Sequence, residues 1–133
     1  MSTRQTCQGR AIIEAIRNAP GPLRPLEVLE LASRQVPTLG IATVYRQLKT
    51  LQESGEVRAV ELGSNDVRYE PNDRGHHHHF LCRECGEAFD VHGCPGGIAK
   101  LAPPGFEVDE HEVTLYGRCR HCSTGQPRKE RAS

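Results

Sequence analysis

Two Cys-x-x-Cys pairs, Cys82/Cys85 and Cys119/Cys122, restrict this chain more than any other feature. Four thiolates suffice to close a tetrahedral zinc site. A closed site would force the chain at residue 82 and the chain at residue 122 to meet around one ion. The 33 residues between the pairs exceed the 15–20 usual for a zinc ribbon, so the intervening segment must carry structure of its own. A redox dithiol or simple buried thiols are the competing readings. Zinc is preferred because the second half holds few large apolar residues, and so small a domain needs an anchor. Six cysteines without a secretory apolar segment suit a reducing compartment, and no run of 18 apolar residues is present. A cytoplasmic protein without membrane attachment is expected.

The text before residue 70 has a different grammar. Ala11, Ile12, Ala15, Ile16 and Ala19 recur at helical spacing until Pro20-Gly21-Pro22. Pro25 suits the first turn of a second helix carried by Leu26, Leu29 and Ala32 and ending near Pro37. Thr38 is placed to cap a third helix with Ile41, Val44, Leu48 and Leu51 as its buried stripe, closed by Ser54-Gly55. Glu56–Leu62 and Val67–Tyr69 are β-prone around the turn Gly63–Asp66. Three short helices and a hairpin make a winged helix-turn-helix, or else a generic small α+β domain. The third helix tips that balance. With its stripe inward, Thr43, Tyr45, Arg46, Gln47, Lys49 and Thr50 occupy the other faces, and no acid occurs between Glu30 and Glu53. Hydroxyls, an amide and cations suit base edges and phosphates. Net charge is zero, 17 basic residues against 17 acidic, so DNA contact must come from this local patch.

Pro71–Gly75 is rich in turn formers and marks a hinge between a unit at 1–70 and one at 76–122, with 123–133 a disordered tail. His76-His77-His78-His79 then runs into Phe80-Leu81. In an extended chain alternate side chains face opposite sides, so His77 and His79 point one way and His76 and His78 the other. One run can therefore serve two sites. Glu70, Asp90, His92 and His111 are further candidate ligands, and imidazole with carboxylate suits Zn, Fe(II) and Mn(II) alike. Cys94 is a softer ligand, a redox group, or a residue beside the Pro95-Gly96-Gly97 turn, and the last is preferred. Phe106–Val108 and His111–Tyr116 are β-prone. A short sheet with no helix to cover its apolar face favours pairing with a second subunit.

Ile41-Ala42-Thr43-Val44-Tyr45-Arg46-x-Leu48, His76–Leu81 running into Cys82-x-x-Cys85-Gly86, and Leu115-Tyr116-Gly117-x-Cys119-x-x-Cys122 resemble three ordered motifs of the ferric-uptake-regulator family. With Thr6-x-Gln8 the likeness spans about residues 6–122. It implies an α+β protein, a winged helix followed by a small α/β dimerisation domain, acting as a homodimeric repressor of metal homeostasis that binds double-stranded operator DNA when metal is loaded. It is no enzyme and has no small-molecule substrate. By the resemblance, Cys82, Cys85, Cys119 and Cys122 hold structural Zn2+. Glu70, His77, His79 and Asp90 hold the regulatory Zn2+, Fe2+ or Mn2+, Asp90 matching a carboxylate of peroxide-sensing members. His76, His78 and His111 belong to an additional site. Thr43, Tyr45, Arg46 and Lys49 face DNA. Pro22 stands where iron and peroxide regulators have a sensing histidine, Pro71 near a cysteine of zinc-responsive members, and no glutamate clearly completes the additional site. The N-terminus is short, and an extra helix is expected to be absent. The alternatives are a peroxide-sensing repressor of the same family and a zinc storage or chaperone module without DNA binding. A zinc hydrolase fits less well, since no H-E-x-x-H motif occurs.

Overall fold

The computed structural model describes residues 6–125. Three helices come first: α1 (Cys7–Asn18), α2 (Pro25–Ala32) and α3 (Ile41–Glu53). Thr6 caps α1, its hydroxyl accepting from the Gly9 N–H at 2.9 Å, and α1 buries Ala11, Ile12, Ile13 and Ile16. In α2, Pro25 opens the helix and the Glu27 carboxylate accepts from the Arg24 N–H at 2.8 Å. Its buried face is Val28, Leu31 and Ala32 with Leu29 packed at its edge, so of the expected Leu26–Leu29–Ala32 stripe only Leu26, 67% exposed, turns outward. The cap of α3 is Gly40 rather than Thr38. Pro37 and Thr38 sit in a turn closed by the Leu39 N–H on the Val36 carbonyl, and burial of Leu39 draws the chain into the core before the helix starts. The expected stripe Val44, Leu48 and Leu51 is buried, with Ile41 packed at its edge.

Strands β1 (Val57–Glu61) and β2 (Val67–Pro71) form the antiparallel wing, Arg58 opposite Glu70. Leu23 and Tyr69 exchange backbone hydrogen bonds of 3.0 and 2.8 Å, which ties the wing to the loop between α1 and α2. Pro71, expected in the hinge, is the last residue of β2. The second half is a three-stranded sheet in the order β4-β3-β5, from β3 (His78–Cys82), β4 (Ala88–Val91) and β5 (Thr114–Gly117). β3 pairs antiparallel with β4 and parallel with β5. The parallel pair requires the long return over residues 92–113, which holds one 3-10 turn at Ile98–Leu101. Phe106–Val108, expected as strand, lies in that return outside any strand. A short α4 (Arg120–Thr124) follows the second cysteine pair, so Ser123 and Thr124 are helical rather than part of a disordered tail. Residues 126–133 lie outside the described residues.

The two halves touch closely. The Asp90 N–H donates to the Pro20 carbonyl at 2.8 Å, and buried Arg68 donates from the wing to the Gly86 carbonyl at 2.9 Å. Gly21 is required there, because a Cβ would stand 2.3 Å from the Ala88 carbonyl oxygen. Arg74 binds Asp90 at 2.9 Å and the Arg17 carbonyl at 2.8 Å, pinning the segment expected to act as a hinge.

Candidate metal centres

Among the described residues, three groups bring potential ligand atoms within 4.8 Å of one another. The first is Cys82, Cys85, Cys119 and Cys122, all free thiols. The Cys85 and Cys119 sulfurs are 3.9 Å apart. Tetrahedral Zn–S bonds imply about 3.8 Å, so this pair already stands at the spacing zinc needs. Gly86, at φ +80°, allows the turn that brings Cys85 back toward Cys82. Burial raises the Cys82, Cys85 and Cys122 thiols. For Cys82 the N–H groups of Cys85 and Cys119, at 3.4 and 3.3 Å, reverse this and bring the pKa down to about 6. Cys85 and Cys122 are pushed up by burial and by their thiol neighbours. Four clustered sulfurs, two of them buried, would repel one another as thiolates, which is what a dication relieves.

The second group joins Glu70 of β2 to His77, just before β3, His79 of β3 and Asp90 of β4. Alternation along β3 does deliver His77 and His79 to the same side. Both present Nε2 to Glu70 Oε1, at 3.1 and 3.0 Å, and to Asp90 Oδ1, at 3.6 and 3.9 Å. Each carboxylate gives its other oxygen to an arginine: Arg58 Nε lies 2.6 Å from Glu70 Oε2, and Arg74 Nη1 lies 2.9 Å from Asp90 Oδ2. The His77 Nδ1–H donates to the Gly75 carbonyl at 2.7 Å, fixing Nε2 inward. Burial raises the Glu70 carboxyl, but hydrogen bonds from His79, His77 and Arg58 outweigh it and hold the pKa at about 2. Burial lowers His77, while the Gly75 carbonyl and Glu70 raise it by more. Asp90 Oδ1 is buried and has no hydrogen-bond partner. An orphaned carboxylate oxygen facing two imidazoles is the signature of a group built for a cation. Pro22, fully buried, brings no ligand, so Glu70 is the first half's contribution.

The third group is His76, His78, Cys94 and His111. It contains the three histidines expected together and Cys94, for which a ligand role was the less favoured of the open readings. Cys94, read as part of a turn, lies with Sγ 3.4 Å from His78 Nε2 and 3.3 Å from His111 Nε2. The fourth member is therefore a thiol and not a carboxylate. Burial and the neighbouring His76 and His111 lower the His78 pKa. His92 is exposed and joins no group. The arginines that complete the second group, Arg58 and Arg74, also went unforeseen, since nothing local in the sequence pairs them with residues 12 and 16 positions away.

On α3, Tyr45, Arg46 and Lys49 are exposed and Thr43 half-buried, its hydroxyl accepting from Arg46 Nη2 at 3.1 Å. A winged helix joined to a small sheet with a four-cysteine group and two histidine groups defines the class of metal-responsive winged-helix transcription regulators. The model of the ferric uptake regulator family matches residues 1–116, and the chain belongs to that family. Its members are metal-binding, DNA-binding regulators that form dimers. The chain is 32% identical over 126 residues to the peroxide operon regulator of Bacillus subtilis, covering 90% of this chain and 84% of that protein. The ferric uptake regulator of Francisella tularensis, solved with iron, superposes with a TM-score of 0.70 at 27% identity, over 92% of this chain and 96% of that one. A zinc-bound manganese uptake regulator has the same fold, with a TM-score of 0.76 at 24% identity and coverage of 88% and 91%.

Proposed function

We propose that this chain is a dimeric repressor that binds double-stranded operator DNA when a divalent cation is held by Glu70, His77, His79 and Asp90. Residues 1–70 are the DNA-binding unit, 71–75 the hinge, and 76–122 the metal-binding dimerisation unit, with structural zinc on Cys82, Cys85, Cys119 and Cys122. The observation that carries this reading is the meeting of one wing carboxylate with three groups of the second half. A cation supplies positive charge to a site that otherwise depends on Arg58, Arg74 and protonated imidazole. Glu70, held on β2, then shares its partner with β3 and β4, so the wing is tied to the dimerisation unit. Two recognition helices must match half-sites about 34–36 Å apart, and a fixed wing narrows the spacings they sample. Bound metal shifts the population only by its preference for that arrangement.

Tyr45, Arg46 and Lys49 on the outer face of α3, with Thr43 beside them, are the proposed DNA contacts. Exposed Leu101, Phe106, Val108, Leu115 and Tyr116 on the second half support a subunit interface there. No helix among the described residues is long and apolar enough to cross a membrane; the family reading makes the chain a cytoplasmic regulator without catalytic function. The relatives respond to peroxide, iron or manganese by name, and two imidazoles with two carboxylates suit Zn, Fe(II) and Mn(II).

Fluorescence anisotropy on DNA from the upstream region, at fixed salt, tests the reading. Binding should appear with buffered metal, vanish with chelator, and be lost in Glu70→Ala while that variant keeps its fold. Metal-dependent binding by Glu70→Ala would refute the assignment, and metal binding without DNA affinity would favour a storage module. Peroxide sensing is a second reading, favoured by Asp90 Oδ1 facing both histidines. Its mark is an oxygen-mass increase on His77 or His79 after peroxide treatment of the Fe(II) form, absent with Mn(II).

A further inference from the structure

The two histidine groups share one tetrad, His76–His79, yet end in different chemistry. On one side of β3 the partners are carboxylates. On the other they are a third imidazole and a thiol, and no carboxylate lies in that group. A cavity of about 590 Å³ between the wing and the histidine run opens on His76, His78 and His111, so ions reach the group from solvent. Tetrahedral zinc with one sulfur and one nitrogen ligand implies a ligand separation of about 3.6 Å. The Cys94 sulfur stands 3.4 and 3.3 Å from two imidazole nitrogens. Two of the three ring pairs meet edge to face and the third is tilted, with centroids 4.6 to 5.1 Å apart.

We propose that Cys94 makes this group a thiolate-bearing site selective for zinc-class ions, so that one chain carries two exchangeable sites of opposite preference. Thiolate and imidazole favour Zn2+, whereas Mn2+ prefers oxygen ligands. The Glu70 group keeps two oxygens and accepts all three candidate ions, but the Cys94 group discriminates against Mn2+. Binding displaces the thiol proton. The Val113 N–H donates to His78 Nδ1 at 3.2 Å, which places the ring proton of the metal-free form on Nε2, toward the sulfur. Loading at Nε2 moves that proton to Nδ1, and the Val113 amide must turn away. Val113 adjoins Thr114, where β5 begins, and its carbonyl accepts from His79, a member of the other group. The zinc-selective site therefore bears on the strand edge that positions the first.

The inference adds a second input to the metal-responsive reading and is tested independently of it. Cys94 and Cys7 are both exposed, so Cys7 serves as a reference thiol in the same molecule. The full-length protein, carrying its structural zinc, is treated with iodoacetamide, and alkylation at each cysteine is followed by peptide mass spectrometry. Buffered Zn(II) should slow alkylation of Cys94 by about tenfold or more while leaving Cys7 unchanged, and Mn(II) should slow neither. His111→Ala should abolish the protection, and Glu70→Ala should preserve it, since it removes no ligand from this group. Equal Cys94 alkylation with and without Zn(II) would overturn the proposal. Equal protection by Mn(II), or protection that survives His111→Ala, would overturn it as well.

Discussion

The two halves of this molecule are held together by different means. In the first, Ile12, Ile16, Val28, Val44 and Leu48 form one apolar core, each at most 1% exposed. In the second, the buried apolar residues are Cys82, Ala88 and Cys119, and the larger ones, Leu101, Phe106 and Leu115, face outward. Buried area thus supports the winged helix at roughly 25 cal/mol per Å² of apolar surface, while the sheet half depends on its ligand groups. Folding and sensing are separate tasks in the first case and nearly the same task in the second.

Removing the structural zinc should break the symmetry most. Structural zinc contributes on the order of 10 kcal/mol to small metallo-domains, comparable with the whole stability of a domain. Cys82→Ser should therefore leave β3, β4 and β5 open to hydrogen exchange while α1–α3 stay protected. Protection of both halves in that variant would show that the sheet has a core of its own. Leu48→Ala is the reverse case. It empties a site 1% exposed and should cost about 2–5 kcal/mol, lowering the melting temperature of the first half with zinc content unchanged. Release of zinc together with the helical transition would instead mark one cooperative unit, coupled through the Arg68–Gly86 and Asp90–Pro20 bonds.

The same division explains what was legible in the sequence. The period-2 geometry of a strand put His77 and His79 on one side before any coordinates existed, because alternation leaves no freedom. The α3 stripe was legible for the same reason at helical period. That of α2 was legible only in part: Leu29 and Ala32 pack inward, but Pro25 sets where the helix starts, and Val28 rather than Leu26 completes the buried face. Thr38 is a good cap by type, but burial of Leu39 decided the boundary. The ligand role open to Cys94 could not be singled out, because the return over residues 92–113, which carries no periodic pattern, brings it to His78 and His111. Partners contributed by strands are visible from spacing, and partners contributed by irregular chain are not.

Acidity gives the smallest but most selective contrast, since all seven histidines lie after residue 75 and none in the winged helix. The His77 pKa is raised by the Gly75 carbonyl and Glu70 against the effect of burial. A raised pKa means that protonated His77 stabilises the metal-free fold at low pH, a contribution lost as pH rises through the folded value. Metal binding has the opposite sign, because Nε2 must give up its proton to become a ligand. Affinity at the Glu70 group should therefore fall as pH drops below the raised His77 value, by about tenfold per pH unit for each proton displaced. Glu70, held at about 2, stays ionised throughout and adds no slope of its own. Titration of the zinc-replete protein with Mn(II) between pH 5.5 and 8, that is across the ordinary histidine range of about 6.5, reads this directly. The helical signal of the first half should not move over the same interval. A pH-independent Mn(II) affinity would mean that His77 is already neutral in the metal-free protein, and its contact with Glu70 would then have to be explained without charge.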